Sequence, residues 1–314
     1  MFDNKPDLFW KNFRLGTELQ VSGTFIYNGL FVLSQMEHFY FEEQIFEMLY
    51  NLSVGLERLQ KIALILIEHQ EGMKQDEFEK TLITHNHIDL LNRIKKKSSL
   101  NLGKPHVKFL QLLSDFYRSD RYNRYNIASV YESNREKRFI EFLKNELKIE
   151  INNDGFIVTP NNDRIRRFIG KLVEKITLQT YEIIDREASR LRIFVSEIRS
   201  ESKAYKLFMA KQFTFEPERY LQRELFIYLM RSKSDKGFQT FLDSIEPLPF
   251  EGYSTNYYVK FLMNFHHHVN LQGELDTIAE DAPLKKDRIE MVNLIGTDCD
   301  FETHDDDDES DDFE

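Results

Sequence analysis

Ser53-Val-Gly-Leu-Glu-Arg-Leu-Gln-Lys-Ile-Ala-Leu-Ile-Leu-Ile-Glu68 reads as a helix with a polar strip at Glu57, Arg58 and Lys61. From Ile62 to Ile67 it is apolar on every side, the mark of a helix surrounded by its neighbours. The pattern starts earlier in the chain. Phe46, Leu49, Leu52, Leu56, Leu59, Ile62 and Leu66 recur at steps of three and four, which predicts one long helix over residues 40–69. Gly55 inside it costs about 1 kcal/mol relative to alanine. It either lets another backbone approach closely or marks a kink.

Working outward, residues 7–20 predict a short amphipathic helix with Leu8, Phe9, Trp10 and Phe13 turned inward. Residues 23–34 are apolar and aromatic, and Gly23 and Gly29 predict an extended piece or a broken helix. A short helix is expected over 75–83. Asn86 with Asp89 three residues on has the form of a helix start, with Ile88, Leu91 and Ile94 inside and a basic end at Lys95, Lys96 and Lys97. Gly103 and Pro105 mark a loop, and 106–118 is helical with Val107, Leu110, Leu113 and Phe116 facing in. Helices are expected over 133–147, 163–199, 202–212 and 217–231, the last opening at Pro217. An aromatic helix is expected around Tyr257 to Phe265, after the loop of Pro247 and Pro249. Alternation about Asp154-Gly155 predicts a small β-hairpin near 149–158.

The expected fold class is therefore all-α, a helical bundle with additional C-terminal helices and that one hairpin. A soft boundary near 130 separates a first helical domain, 1–130, from a second region, 131–297, packed on it. Gly (12) and Pro (7) are scarce among 314 residues, against a loop-rich or all-β fold. Cys299 is the only cysteine, which excludes an internal disulfide and a Cys-based metal site and points to a reducing compartment. The start, Met1-Phe-Asp-Asn-Lys-Pro, lacks a signal-peptide pattern, and the aliphatic run 62–67 is too short to span a bilayer. The expectation is a soluble cytoplasmic protein without a membrane partner.

The net charge of −11 is not spread evenly. Residues 298–314 hold eleven acids and no Lys or Arg, leaving 42 acids against 42 bases in residues 1–297. Such a tail repels itself and is expected to be disordered when alone. It either keeps the protein soluble or folds over a basic surface as a mimic of nucleic acid. Two basic stretches stand out. Nine Lys or Arg against two Asp lie between Arg93 and Arg124. Arg164, Arg166, Arg167, Lys171 and Lys175 lie against Glu174. Both are candidate anion-binding surfaces or solvated helix faces.

Phe116-Tyr-Arg-Ser-Asp-Arg-Tyr-Asn-Arg-Tyr-Asn126 carries the densest chemistry. Arg118, Arg121 and Arg124 offer forks for phosphate oxygens, and Tyr117, Tyr122 and Tyr125 offer faces for stacked bases. Asn123 and Lys95 to Lys97 complete the candidate nucleic-acid-binding set. The structural alternative makes the tyrosines core-edge residues and pairs the arginines with acids such as Glu57. His85 and His87 are the candidate proton carriers; the alternative is that both are helix-start residues exposed to water. His266-His-His268 has no acidic partner at helical spacing, and three adjacent histidines cannot face one metal from a helix. No phosphate loop, nucleophile turn or zinc spacing is present, so no cofactor and no metal are expected. Glu57 and Lys61 form a favourable i,i+4 pair, and with Arg58 they either serve structure alone or line a polar pocket.

Leu56-Glu-Arg-Leu-Gln-Lys-Ile-Ala-Leu, then His87-Ile-Asp-Leu-Leu, then a helix ending in an Arg-rich turn resembles the HEPN superfamily over residues 40–126. These are small helical domains of prokaryotic defence and toxin–antitoxin systems. The resemblance implies nucleic-acid binding, RNA cleavage without a metal in catalytic members, and homodimers built through the helices. Catalytic members carry an Arg followed after four to six residues by a His. Here Arg118, Arg121 and Arg124 are followed by none until His266, and Tyr125 stands where it would fall. With an ordinary pKa near 10, tyrosine is a poor general base at neutral pH. Either His85 or His87 completes a site with Arg121 in space, or the chain is a binding version. The reading from a different class is a non-catalytic protein-interaction module whose helical body recruits a protein partner.

Overall fold

The structure, a computed structural model, describes residues 6–117, 136–150, 153–154, 157–231, 236–263, 268–281 and 285–297. It is helical. The chain forms two compact units, Met1–Phe215 and Glu216–Glu314.

In the first unit, α1 (Pro6–Phe9) runs through a π turn (Trp10–Arg14) into α2 (Leu15–Gln35). After it come α3 (Glu42–Glu68), α4 (Gln75–Lys80), α5 (His87–Lys97) and α6 (Lys104–Asp115). Then follow α7 (Glu136–Leu147), α8 (Asp163–Leu191) and α9 (Lys203–Phe208). The long helix read from the 53–68 stretch is the centre. α3 touches α2, α5, α6, α7 and α8, and Leu52, Leu56, Leu59, Ala63, Leu64 and Leu66 are fully buried. Burying one such leucine contributes about 1.5–3 kcal/mol, which explains why an all-round apolar segment ends up enclosed.

Residues 23–34, expected to be extended or broken, are an uninterrupted part of α2. The glycines there make room for packing. A Cβ on Gly29 would lie 2.7 Å from Leu52 Cγ, and one on Gly55 would lie 2.7 Å from Ile26 Cγ1 and 2.8 Å from the Ile26 nitrogen. The two helices thus cross nearly backbone to backbone, and the Ser22 hydroxyl donates to the Gly55 carbonyl across the crossing at 2.8 Å. Helix propensity lost at the glycines, about 1 kcal/mol each, is offset by this packing. Gly55 marks close approach within a continuous helix.

Other expectations shift locally. Leu8 and Trp10 pack on the core, but Phe9 and Phe13 are about half exposed, at 50% and 49%, and their rings meet each other at 4.7 Å with the planes tilted by 47°. The π turn changes the angular step between them, so a regular 3.6-residue projection misplaces their faces. The helix expected over 163–199 stops at Leu191. Arg192 takes the left-handed conformation (φ 56°) and its N–H closes on Ala188, so Ile193 and Val195 turn back into the core. Asn12 fixes this return by accepting from the Phe194 N–H at 2.6 Å.

Units divide at 215/216, not at the soft boundary near 130. Phe139, Leu143, Ile165, Ile169 and Val173, beyond that boundary, are fully buried in the same core as α3. Two antiparallel rungs, Asn153 with Val158 and Asp154 with Ile157, form β1 (Asn153–Asp154) and β2 (Ile157–Val158). The rest of the expected hairpin lies partly outside the described residues. Just after it, Asn161 ties the chain to the end of α2, donating to the Leu33 and Met36 carbonyls at 2.7 and 3.1 Å.

The second unit holds α10 (Glu216–Arg231), α11 (Lys236–Asp243), α12 (Thr255–Met263), α13 (His268–Asp281) and α14 (Lys286–Val292). The aromatic helix expected near 257–265 is α12, where Tyr257 meets Phe261 edge to face at 4.8 Å. Glu274 ties this unit together by accepting from the Tyr258 hydroxyl and the Gly252 N–H, each at 2.7 Å. Among the described residues no helix is long and apolar enough to cross a membrane.

Candidate functional site

Val54, Glu57, Arg58, Lys61, Ile62 and Ile65 fall at helical steps of three and four, so they share one face of α3. That face is the floor of a cleft of about 330 Å³. Leu15 and Glu18 of α2 form one wall; Leu82, His85 and Tyr117 form the other. The polar strip read from the sequence therefore both pairs internally and lines a pocket.

The ion pairs run in a chain. Lys61 Nζ sits 2.6 Å from Glu57 Oε1, and His85 Nδ1 sits 3.0 Å from Glu57 Oε2. Both carboxylate oxygens are thereby engaged, and the Glu57 side chain is only 9% exposed. Arg58 reaches across to Glu18. His85 is 48% exposed, and its ring lies 4.5 Å from that of Tyr117. Tyr117 stacks in turn on Tyr50 at 6.1 Å. Among the described residues, two cations and two carboxylates line the cleft, with one exposed imidazole.

His85 is placed by its neighbours in sequence. Asn86 caps α5 as its spacing predicted, its side-chain oxygen accepting from the Ile88 and Asp89 N–H groups at 3.0 and 3.3 Å. Capping stops the helix one residue after His85, which therefore stands outside the first turn.

His87, also a candidate proton carrier, is fully buried and does not line the cleft. Gln60 Oε1 lies 2.8 Å from its Nδ1, and Ser53 Oγ lies 3.2 Å from its Nε2. Gln60 Nε2 donates to the His87 carbonyl at 3.2 Å, which points its oxygen at the ring. The backbone N–H of His87 donates to Ser114 Oγ at 2.9 Å. Burial drives the imidazole down from its ordinary 6.5 to about 4, with Lys61 and His85 adding to the effect and Glu57 opposing it. The neutral ring donates from Nδ1 to Gln60 and accepts from Ser53 at Nε2. His87 thus serves the core. It is neither exposed to water, as the structural alternative had it, nor within reach of a ligand.

Lys95, Lys96 and Lys97 are exposed at the far end of α5. At 1.5 Å per residue this end is about 15 Å along the helix from His87, so these lysines do not belong to the cleft. Arg93, between them and the cleft, is engaged by Glu68 at 2.6 Å and the Thr81 carbonyl at 2.7 Å. Arg118, Arg121, Tyr122, Asn123, Arg124 and Tyr125 lie outside the described residues, as do His266, His267 and the acidic tail.

The chain matches no protein-family model, no curated protein and no solved structure.

Sequence reading alone missed Ser53, Gln60 and Ser114 as partners of His87, and Glu18 as a wall of the cleft. Ser53 and Gln60 did carry a signal: polar residues seven apart, two helical turns, on an otherwise enclosed helix must find partners. Lys11 was also missed. The residue is 3% exposed and its ammonium donates at 2.8 Å to the His69 carbonyl, at the negative end of α3, and burial lowers its pKa. Among the described residues, no three His, Cys, Asp or Glu side chains are gathered as a metal ion requires.

Proposed function

We propose that this is a HEPN-like nucleic-acid-binding protein that cleaves RNA without a metal, acting in bacterial defence or stress response. One observation carries the reading: His85, held by Glu57 at a cleft, packs against Tyr117, the residue from which the chain enters Arg118 to Arg124. Consecutive Cα atoms are about 3.8 Å apart. The described chain therefore brings the histidine against the residue that immediately precedes Arg118 in sequence, which supports a site built from both. In this reading His85 moves the proton, the arginines hold phosphate, and Tyr117 and Tyr122 offer stacking faces. The helical body is of the all-α class that the reading requires.

The deciding experiment measures RNA binding and cleavage by the full chain in EDTA, with His85→Ala and Arg121→Ala beside the wild type. Cleavage lost in both variants supports the reading. Binding without cleavage, weakened only in Arg121→Ala, makes the protein a non-catalytic binder. Neither activity in the wild type refutes it.

A second reading, a protein-interaction module, draws on α10. None of its residues is buried, and Leu221, Leu225 and Leu229, spaced by four, are each more than half exposed. Sedimentation of the full chain against Leu225→Asp tests for a homodimer through this helix.

A further inference from the structure

We infer that Glu57 is a positioning residue that fixes His85 as its Nδ1–H tautomer, leaving Nε2 as a proton acceptor for a hydroxyl of a bound nucleic-acid strand. The inference rests on the function proposed above and adds the residue that sets the histidine's chemistry.

The donor count leads to the tautomer. An ionised carboxylate only accepts hydrogen bonds. Glu57 Oε1 takes the Lys61 ammonium at 2.6 Å, which keeps the group as a carboxylate salt. Oε2, 3.0 Å from His85 Nδ1, then requires an N–H on that nitrogen. Neutral imidazole has one N–H, so Nε2 carries the lone pair. Nε2 lies on the other side of the ring from Nδ1, on a side chain that is half exposed, and no described residue bonds to it.

The ring is also held in place. Glu57 belongs to the central helix and is 7% exposed, so its position follows from the core. Tyr117 leans on the ring at 4.5 Å, with the planes at 46°. Asn86 fixes the backbone beside it. Lys61 holds the oxygen of Glu57 that His85 does not use. Among the described residues, the other charged or titratable groups near the ring are Arg58 and Glu18, which pair with each other, and buried His87. The transfer balances: the hydroxyl O–H bond breaks and its proton goes to Nε2, the oxygen's electron pair forms a bond to the adjacent phosphorus, and the phosphorus–oxygen bond to the next nucleotide breaks, its electron pair leaving on that oxygen, which takes a proton from water. His85 becomes imidazolium, whose Nδ1–H still faces the carboxylate.

Histidine-selective ¹⁵N labelling of the full chain and long-range ¹H–¹⁵N correlation spectra at pH 8 read the tautomer directly. The His85 signals are identified by their loss in His85→Gln. The expected result is a protonated Nδ1 and an unprotonated Nε2 in the wild type, and a move toward Nε2–H in Glu57→Ala. A wild type with Nε2–H overturns the inference. An unchanged tautomer in a folded Glu57→Ala overturns it as well. On RNA, Glu57→Gln should lower kcat about tenfold and leave KM within about twofold, since it disturbs proton transfer more than binding. Equal kcat in the two proteins counts against the role. Nε2–H in a protein that cleaves RNA overturns this inference alone. The Nδ1–H tautomer in a protein that never cleaves overturns the proposed function, and the proton-transfer role with it.

Discussion

Acidification should unfold this protein partly through His87. The ring is fully buried, and its folded-state pKa is about 4 against 6.5 for the exposed group. Between those two values the unfolded chain binds a proton that the folded protein refuses. Stability therefore falls as pH drops from about 6.5 toward 4, by about 1.4 kcal/mol per pH unit and about 3 kcal/mol in all. Above about 6.5 the contribution is fully present. Hydrogen bonding does not rescue the charged form. Ser53 Oγ, 3.3 Å from the Leu113 carbonyl, could turn its proton there and accept from a protonated Nε2, but removing the charge from water costs more than that exchange returns. The assay is urea unfolding at half-unit steps from pH 7.5 to 4, with wild type beside His87→Gln. Carboxylates titrate in both proteins, so the difference between the two curves isolates His87. Glutamine offsets the whole curve but cannot titrate. The difference should shrink by about 3 kcal/mol across the window. A difference that stays constant with pH would show that His87 is not held neutral in the core, and the buried Ser53–His87–Gln60 arrangement would be wrong.

Three further outcomes are expected. Gly55→Ala should destabilise by about 1–3 kcal/mol or more, read as a lowered Tm, because its Cβ meets the Ile26 nitrogen at 2.8 Å and the Ser22 carbonyl oxygen at 3.0 Å; an unchanged Tm would contradict the close crossing of α2 and α3. Asn86→Ala should cost about 1 kcal/mol in urea unfolding through loss of the α5 cap and should weaken whatever activity depends on His85; a neutral effect on both would remove the cap from the account. Deleting residues 298–314, which hold eleven acids and no bases, should strengthen RNA binding most at low salt; salt-independent or unchanged binding would leave the tail with solubility alone.

Much of the fold was legible in the sequence because helix burial follows a period. The spacing of Leu49, Leu52, Leu56, Leu59, Ile62 and Leu66 is the face of α3 that the core covers, and Asn86 marked the start of α5 because a cap is a local device. The errors arose where local rules met distant neighbours. Gly23 and Gly29 argued against a helix until α3 and α9 were brought against them. Phe9 and Phe13 looked like core residues until a π turn rotated them outward. Residues 192–199 continued a helical pattern that Arg192 ends by taking a left-handed conformation.

The candidate site divides in the same way. Glu57, Arg58 and Lys61 formed a recognisable polar strip, and the Glu57–Lys61 pair follows from four-residue spacing alone. Nothing in the sequence separates His85 from His87. They are two residues apart, and both adjoin the same helix start. One turns out half exposed beside a carboxylate 28 positions away, and the other is sealed between Ser53 and Gln60. Periodicity and capping are set by neighbours within a turn or two, so the sequence alone determined the long helix α3 with its inward face and the start of α5. Solvent access and carboxylate partners depend on which helices meet. Only the tertiary structure could decide that His85 is open to solvent and His87 is not.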